Sequence, residues 1–416
     1  MCNILTLNTK HIVFYQFNIG NMSLTENAIE PVFPEPPATA LEELALEVIA
    51  RAARLAGRVR DPLREDLGEL TRWMHCYYSN LIEGQQTRVA DIESALRHDF
   101  SAEPQKRDLQ QLALAHLACQ RWAAGYAGSP YAPDFLCELH RRFYSELPPG
   151  LRVATSWTGV RVPLEPGALR VTDVRVGDHV GPPHALVPAL LRRFRERYES
   201  PGLPRAARIV AIAASHHRLA WIHPFRDGNG RVVRLFSDTL IRRAAIDSGG
   251  LWSLSRGLAF RREEYYERLA NADRASDPAS ADDGAGPLSG RALREFCEFV
   301  LRVMLDQIDF MDGLLDLDGL GGRIERFARL ESGLGDSGGR VFLLLREALY
   351  RGEFPRGEAG RITGAGERTG RAALARAVEA GLLKSSTPKA PVRLALPARV
   401  LGTYFPQLFP AGQLRG

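Results

Sequence analysis

The sequence predicts a mainly α-helical protein with a short β-hairpin flap and a C-terminal winged helix-turn-helix. Three observations carry this reading. Apolar residues recur at helical spacing over most of the chain from Ala40 to Leu315. The stretch Thr155 to Pro183 breaks that rhythm with Gly, Pro and the alternating valines Val171, Val174 and Val176, the pattern of a hairpin or extended flap. Beyond a glycine-rich break at Gly333 to Gly339, the order becomes three helices followed by a pair of strands.

Taken in order, residues 1–40 are poorly patterned and end in the proline-rich Pro31-Val32-Phe33-Pro34-Glu35-Pro36-Pro37, a flexible lead-in. Residues 41–129 form an N-terminal helical region whose second helix carries Trp73 to Gly84. Helical spacing returns at Asp134 to Leu147 and, after the flap, at Val187 to Tyr198, Ala206 to Trp221, Arg231 to Ile246, Arg262 to Ala272 and Gly290 to Leu315. Asp277 to Gly290 reads as a loop. In the C-terminal part, 338–400, helices are expected at Val341 to Arg351, Arg356 to Thr363 and Glu367 to Ala380. Strands lie within Leu382 to Leu396, and a tail, 401–416, is apolar enough to pack back or meet a partner.

At 416 residues the chain exceeds one ordinary core, so two or three domains are expected. No apolar run reaches eighteen residues, which excludes a membrane-spanning helix and makes a cytoplasmic location the expectation. The five cysteines are scattered without a paired CxxC, so neither a disulfide frame nor a zinc site is indicated. Charge is unevenly spread: from Gly338 to Gly416, eleven Arg and two Lys face five Glu, a net of +8. On a winged helix, Arg368, Arg371 and Arg376 of the recognition helix, with Lys384, Lys389 and Arg393 of the wing, would then meet DNA.

Chemistry concentrates in His223-Pro224-Phe225-Arg226-Asp227-Gly228-Asn229-Gly230-Arg231-Val232-Val233-Arg234. Gly228 and Gly230 permit a tight turn whose N–H groups converge on an anion, and the following helix adds its positive end. Arg231 and Arg234, three residues apart, can both reach a polyphosphate. Asp227 offers a hard oxygen to Mg²⁺, and His223 is a side chain suited to accepting a proton.

This segment resembles the signature of the Fic family, His-x-Phe-x-(Asp/Glu)-Gly-Asn-Gly-Arg-x-x-Arg, with every fixed position filled. The resemblance implies a helical Fido core over residues 130–316 and transfer of AMP from Mg·ATP to a hydroxyl of a Ser, Thr or Tyr in a protein. It makes His223 the general base and Asp227 the Mg²⁺ ligand. Phe225, Gly228, Asn229, Gly230, Arg231 and Arg234 become the nucleotide site, with His217 and Phe225 holding the loop. Gly167 to Pro183, including Arg170, is similar to the flap that aligns a target segment by strand addition. Tyr265-Tyr266 and Leu269 resemble the adenine-side helix, but Asp273 stands where family members often carry Asn. A homodimer is implied by analogy.

Ser79-Asn80-Leu81-Ile82-Glu83-Gly84 matches the family's inhibitory pattern, Ser/Thr-x-x-x-Glu-Gly/Asn. Ser79 and Glu83 share a helix face, so the carboxylate can be offered to an arginine; by resemblance that arginine is Arg234. Two other readings stay open at the sequence level: a DNA-binding regulator whose Fido domain senses nucleotide, and an enzyme that removes AMP.

Overall fold

In the computed structural model, which describes residues 25–34, 39–155, 159–177, 179–200, 202–280, 283 and 286–410, helices carry most of the chain. The N-terminal half contains α1 (Thr39–Ala56), α2 (Asp61–Ile82), α3 (Val89–Leu96), α4 (Pro104–Gly125) and α5 (Pro133–Ser145). Two separate antiparallel hairpins follow: β1 (Val153–Thr155) with β2 (Arg161–Pro163), and β3 (Arg175–Val176) with β4 (His179–Val180). The expected single hairpin is thus two, and the flap tip is the second. Next come α6 (Val187–Tyr198), α7 (Arg205–Ile222), α8 (Asn229–Arg243), α9 (Leu254–Phe260), α10 (Arg262–Ala272) and α11 (Gly290–Leu314).

Helix α7 is the axis of the core. Every side chain from Ile209 to Leu219 is buried, the property of a helix covered on all sides, and α6, α8 and α11 pack on it. Its buried polar side chains each find at least one partner, though Arg218 Nη2 has none. His216 lies 2.8 Å from both Ser237 Oγ and Tyr265 OH, and Arg218 Nε donates to Pro31 O at 2.9 Å.

That last contact corrects the expectation of a flexible lead-in through residue 40. Residues 25–34 are packed: Ile29 and Val32 are fully buried, Arg193 Nη2 donates to Glu30 at 2.9 Å, and Tyr198 OH donates to Val32 O. A proline-containing extended segment leaves its carbonyls unpaired, and these satisfy a buried guanidinium and phenol. Residues 1–24 and 35–38 lie outside the described residues, and α1 begins at Thr39.

The C-terminal unit adds α12 (Leu317–Leu330), α13 (Gly338–Arg351), β5 (Glu353–Phe354), α14 (Ala359–Thr363), α15 (Glu367–Glu379), β6 (Leu383–Lys384), β7 (Val392–Leu394) and α16 (Ala398–Tyr404). Its sheet is three-stranded and antiparallel in the order β5-β7-β6, one strand more than the sequence suggested. α14 and α15 cross so closely that a Cβ on Gly370 would lie 2.5 Å from Gly360 N. The unit also runs beyond both expected limits, because α12 and α16 pack on each other and α12 packs on α13.

This unit leans on α2. Lys384 Nζ lies 2.6 Å from Asp66 Oδ1, and Arg393 Nη1 lies 3.0 Å from Glu65 Oε2. The tail packs back: Tyr78 OH donates to Leu408 O at 2.9 Å, and Phe409 stacks parallel to Tyr78. Arg376 donates to Ser337 Oγ at 2.7 Å. Three of the six basic residues assigned to a DNA groove are thus tied to other elements, Arg371 pairs with Glu367 of its own helix at 2.6 Å, and Arg368, Arg371 and Lys389 are exposed.

Candidate active site

α7 ends at His223, which adopts a left-handed conformation (φ 49°), and α8 begins after Gly228, also left-handed (φ 76°). Between these two reversals the loop is braced from inside. Asn229 Oδ1 accepts from Phe225 N at 2.9 Å and its Nδ2 donates to Phe225 O at 2.8 Å. Phe225 is fully buried and stacks on His140, with ring centroids 4.2 Å apart. His140 accepts from Gly167 N through Nδ1 at 2.8 Å and donates through Nε2 to Asp227 O at 3.2 Å, joining the flap base to the motif.

Arg170 makes a second junction. Its fully buried side chain donates to His223 O at 2.8 Å and to Thr172 O at 3.2 Å, and also reaches Pro182 O. The flap is therefore bolted to the carbonyl of the residue expected to be the base.

A cavity of about 1050 Å³ opens between the flap, the α8 N-terminus and α10. It is lined by His223, Asp227, Gly228, Gly230, Arg234 and Glu83, and on the α10 side by Tyr266 and Leu269. The structure thus collects most of the residues expected at the site. Gly228 and Gly230 are there because nothing larger fits. A Cβ on Gly228 would meet Tyr144 OH at 2.6 Å, and one on Gly230 would meet Glu83 Oε1 at 2.4 Å. Glu83 thereby rests its carboxylate on the N-terminus of α8, where a helix favours an anion.

His223 Nδ1 lies 3.3 Å from Ala220 O, so this nitrogen carries the hydrogen and Nε2 keeps its lone pair. Burial, with the neighbouring His179 ring, lowers its pKa to about 4, so the ring is neutral at physiological pH. Asp227 is shifted the other way: burial raises its carboxyl despite Arg231 nearby. Its Oδ1 accepts from Gly228 N at 2.6 Å.

Glu83 is the C-cap of α2, ended by Gly84 in a left-handed conformation (φ 79°). Its Oε1 lies 2.6 Å from Arg234 Nη2. Ser79 completes the grip, with Oγ accepting from Arg234 Nε at 2.9 Å and the carbonyl accepting from Nη2 at 3.1 Å. Burial opposes charge on both partners, but their mutual attraction outweighs it: the carboxyl of Glu83 is lowered and the guanidinium of Arg234 raised. The pair stays ionised.

Of the other residues expected at the nucleotide, Asn229 also lines the cavity, whereas Phe225 and Arg231 do not. Phe225 and the Asn229 side chain shape the loop, and Arg231 lies behind it, with Nη1 donating to Tyr144 OH and Nη2 to Gln85 Oε1, both at 3.0 Å. Sequence reasoning missed Tyr144, His140 and Gln85, which act only through the fold, and it missed His179. Tyr266, half-exposed, donates to Ile82 O at 3.3 Å, linking α10 to the end of α2.

A glycine-lined helix N-terminus, a paired arginine, a carboxylate and a neutral histidine thus line one cavity. Residues 130–241 match the family described as the Fic/DOC family. The chain is 31% identical over 208 residues to the protein adenylyltransferase Fic of Nematostella vectensis, a match spanning 48% of this chain and 43% of that relative. The chain thus spans less than half the length of that relative. In structure it resembles a Fic family protein from Desulfovibrio desulfuricans G20 (TM-score 0.51, 19% identity, 88% of this chain and 98% of that one). It also resembles residues 134–508 of Fic-1 from C. elegans (TM-score 0.51, 20% identity, 68% and 75%).

Proposed function

We propose that this protein is an autoinhibited protein adenylyltransferase, moving AMP from Mg·ATP to a hydroxyl side chain of a protein. The observation that carries the reading is the Glu83–Arg234 pair at 2.6 Å on the rim of the nucleotide cavity. The Arg234 guanidinium is thus occupied by a carboxylate of the chain itself.

In the active state, the N–H groups at Gly228 to Gly230 would cradle the α-phosphate, with Arg234 released to the terminal phosphates. The Nε2 lone pair of His223 would take the proton as the acceptor oxygen attacks the α-phosphorus and pyrophosphate leaves, general base catalysis typically contributing about 10²–10⁴-fold. A pKa near 4 makes His223 a weak base, but one that is always available near neutrality.

Asp227 fits a magnesium ion carried in with ATP. It lines the cavity, burial raises its carboxyl, and Mg²⁺ commonly uses one carboxylate with phosphate and water. The ion would neutralise phosphate charge. With Glu83 in place, ATP finds neither its clamp nor free space over Gly230, where a Cβ already meets Glu83 at 2.4 Å.

The test is incubation of the purified protein with Mg²⁺ and α-labelled ATP. Label should enter protein strongly with Glu83→Gly, weakly with wild type, and not with Glu83→Gly combined with His223→Ala. An unlabelled Glu83→Gly protein that still binds ATP would refute the transferase.

A further inference from the structure

The flap tip is a hairpin of two-residue strands, and sheet bonds alone hold such a unit weakly. Its valines give no help, since Val176 and Val180 are 54% and 55% exposed. Among the described residues of the tip, one side chain makes a hydrogen bond to another element: His179 Nδ1 lies 2.8 Å from Asp273 Oδ2, at the C-terminus of α10.

That bond ends a chain reaching back into the core. Arg218 Nη1 donates to His217 Nδ1 at 3.0 Å, which fixes the hydrogen of His217 on Nε2. Nε2 in turn faces Asp273 Oδ1 at 3.2 Å and Leu269 O at 3.1 Å. Asp273 therefore accepts from two histidines, one per oxygen. Burial alone would raise its carboxyl, but the hydrogen bonds from His179 and His217 hold it well below the usual carboxylate range. An asparagine here would have one acceptor atom, so it would exchange two charge-assisted bonds for neutral ones and force His179 into the other tautomer, a weaker tie.

The consequence falls on His223. The His179 and His223 rings are 5.7 Å apart, centroid to centroid, on the same cavity. Nε2 of His179 is buried there without a partner. Arg170 fixes the base of the flap to the His223 carbonyl, and His179 fixes its tip to α10. The flap is pinned at both ends across the expected base.

We propose that His179 is a positioning residue which, through Asp273, holds the flap tip in register so that an acceptor segment laid along it presents its hydroxyl to His223. The proposal rests on the transferase reading above and adds a residue to it. Asp273 supports the flap instead of reading the nucleotide base.

The test separates the tie from the chemistry. In the full chain carrying Glu83→Gly, hydrogen exchange of flap amides, ATP affinity by calorimetry and incorporation of α-label are compared for His179→Ala, His179→Asn and Asp273→Asn. Asparagine at 179 can place an N–H near the position of Nδ1. Expected are about tenfold faster flap exchange and about tenfold slower labelling with His179→Ala and Asp273→Asn, ATP affinity within about twofold, and recovery of most of both losses with His179→Asn. Unchanged flap exchange would overturn the proposal. So would a loss of ATP affinity equal to the loss of labelling, or a His179→Asn protein no better than His179→Ala. A Glu83→Gly protein that never labels would count against the transferase reading alone, because flap exchange still decides whether His179 holds the tip.

Discussion

The arginines of the motif and the basic residues of the C-terminal unit look alike as sequence, but their settings differ. Arg234 is 2% exposed and meets Ser79 and Glu83 on the wall of a cavity, where its one carboxylate partner stands over a helix N-terminus built for an anion. Lys384 and Arg393 lie on a sheet surface and meet Asp66 and Glu65 of α2, the first carboxylate largely buried and the second exposed. In the first case a phosphate can replace the carboxylate with little reorganisation; in the second the ion pair fixes one unit against another. A net of +8 counts cations without counting their partners.

The largest expected effect is at the base. In a Glu83→Gly background, His223→Ala should lower label transfer by about 10²–10⁴-fold. The pH profile of the same background gives a companion prediction. Because the His223 pKa is lowered to about 4, the neutral base persists above it, so the rate should be flat from about pH 8 to 5 and fall as pH drops through about 4. A fall centred near the ordinary histidine value would show that the ring is not buried as described.

Next in size is the brake. Glu83→Gly should raise initial transfer rates by about 5–150-fold, the range of a typical coupling energy between sites. Gly228→Ala comes third: a side chain must enter at φ 76° and within 2.6 Å of Tyr144 OH, at a cost of about 1–3 kcal/mol in denaturant unfolding. The smallest effect belongs to the other region. Arg393→Ala should cost no more than about 1 kcal/mol and leave the salt dependence of any polyanion binding unaltered. A salt slope reduced by about 1 would instead place Arg393 on a phosphate and erase the contrast.

The motif was legible because its parts are contiguous: the glycines, the histidine and the arginines all lie within twelve residues. The Glu83–Arg234 contact was legible only as a pattern, since nothing local says that Glu83 meets a residue 151 positions away. Helix α12 was hidden by Gly319, Gly321 and Gly322, which weaken helix propensity, yet Leu320, Ile324 and Ala328 are buried and packing outweighs them. Helix α9 is seven residues long and has Gly257 inside it, required because a Cβ there would lie 2.4 Å from Val303. Of the His179–Asp273–His217 network, the sequence offered the unexpected aspartate and a structural role for His217, but not His179 or the link between them.

The most direct test asks whether Glu83 acts through Arg234. Initial rates of label transfer from α-labelled ATP would be compared for wild type, Glu83→Gly, Arg234→Ala and the double variant. If the carboxylate inhibits by holding this guanidinium, Glu83→Gly is fast and both proteins lacking Arg234 are slow, so that removing Glu83 gains nothing once Arg234 is gone. A double variant as fast as Glu83→Gly would show that the 2.6 Å pair is a structural contact and that the brake, if there is one, lies elsewhere.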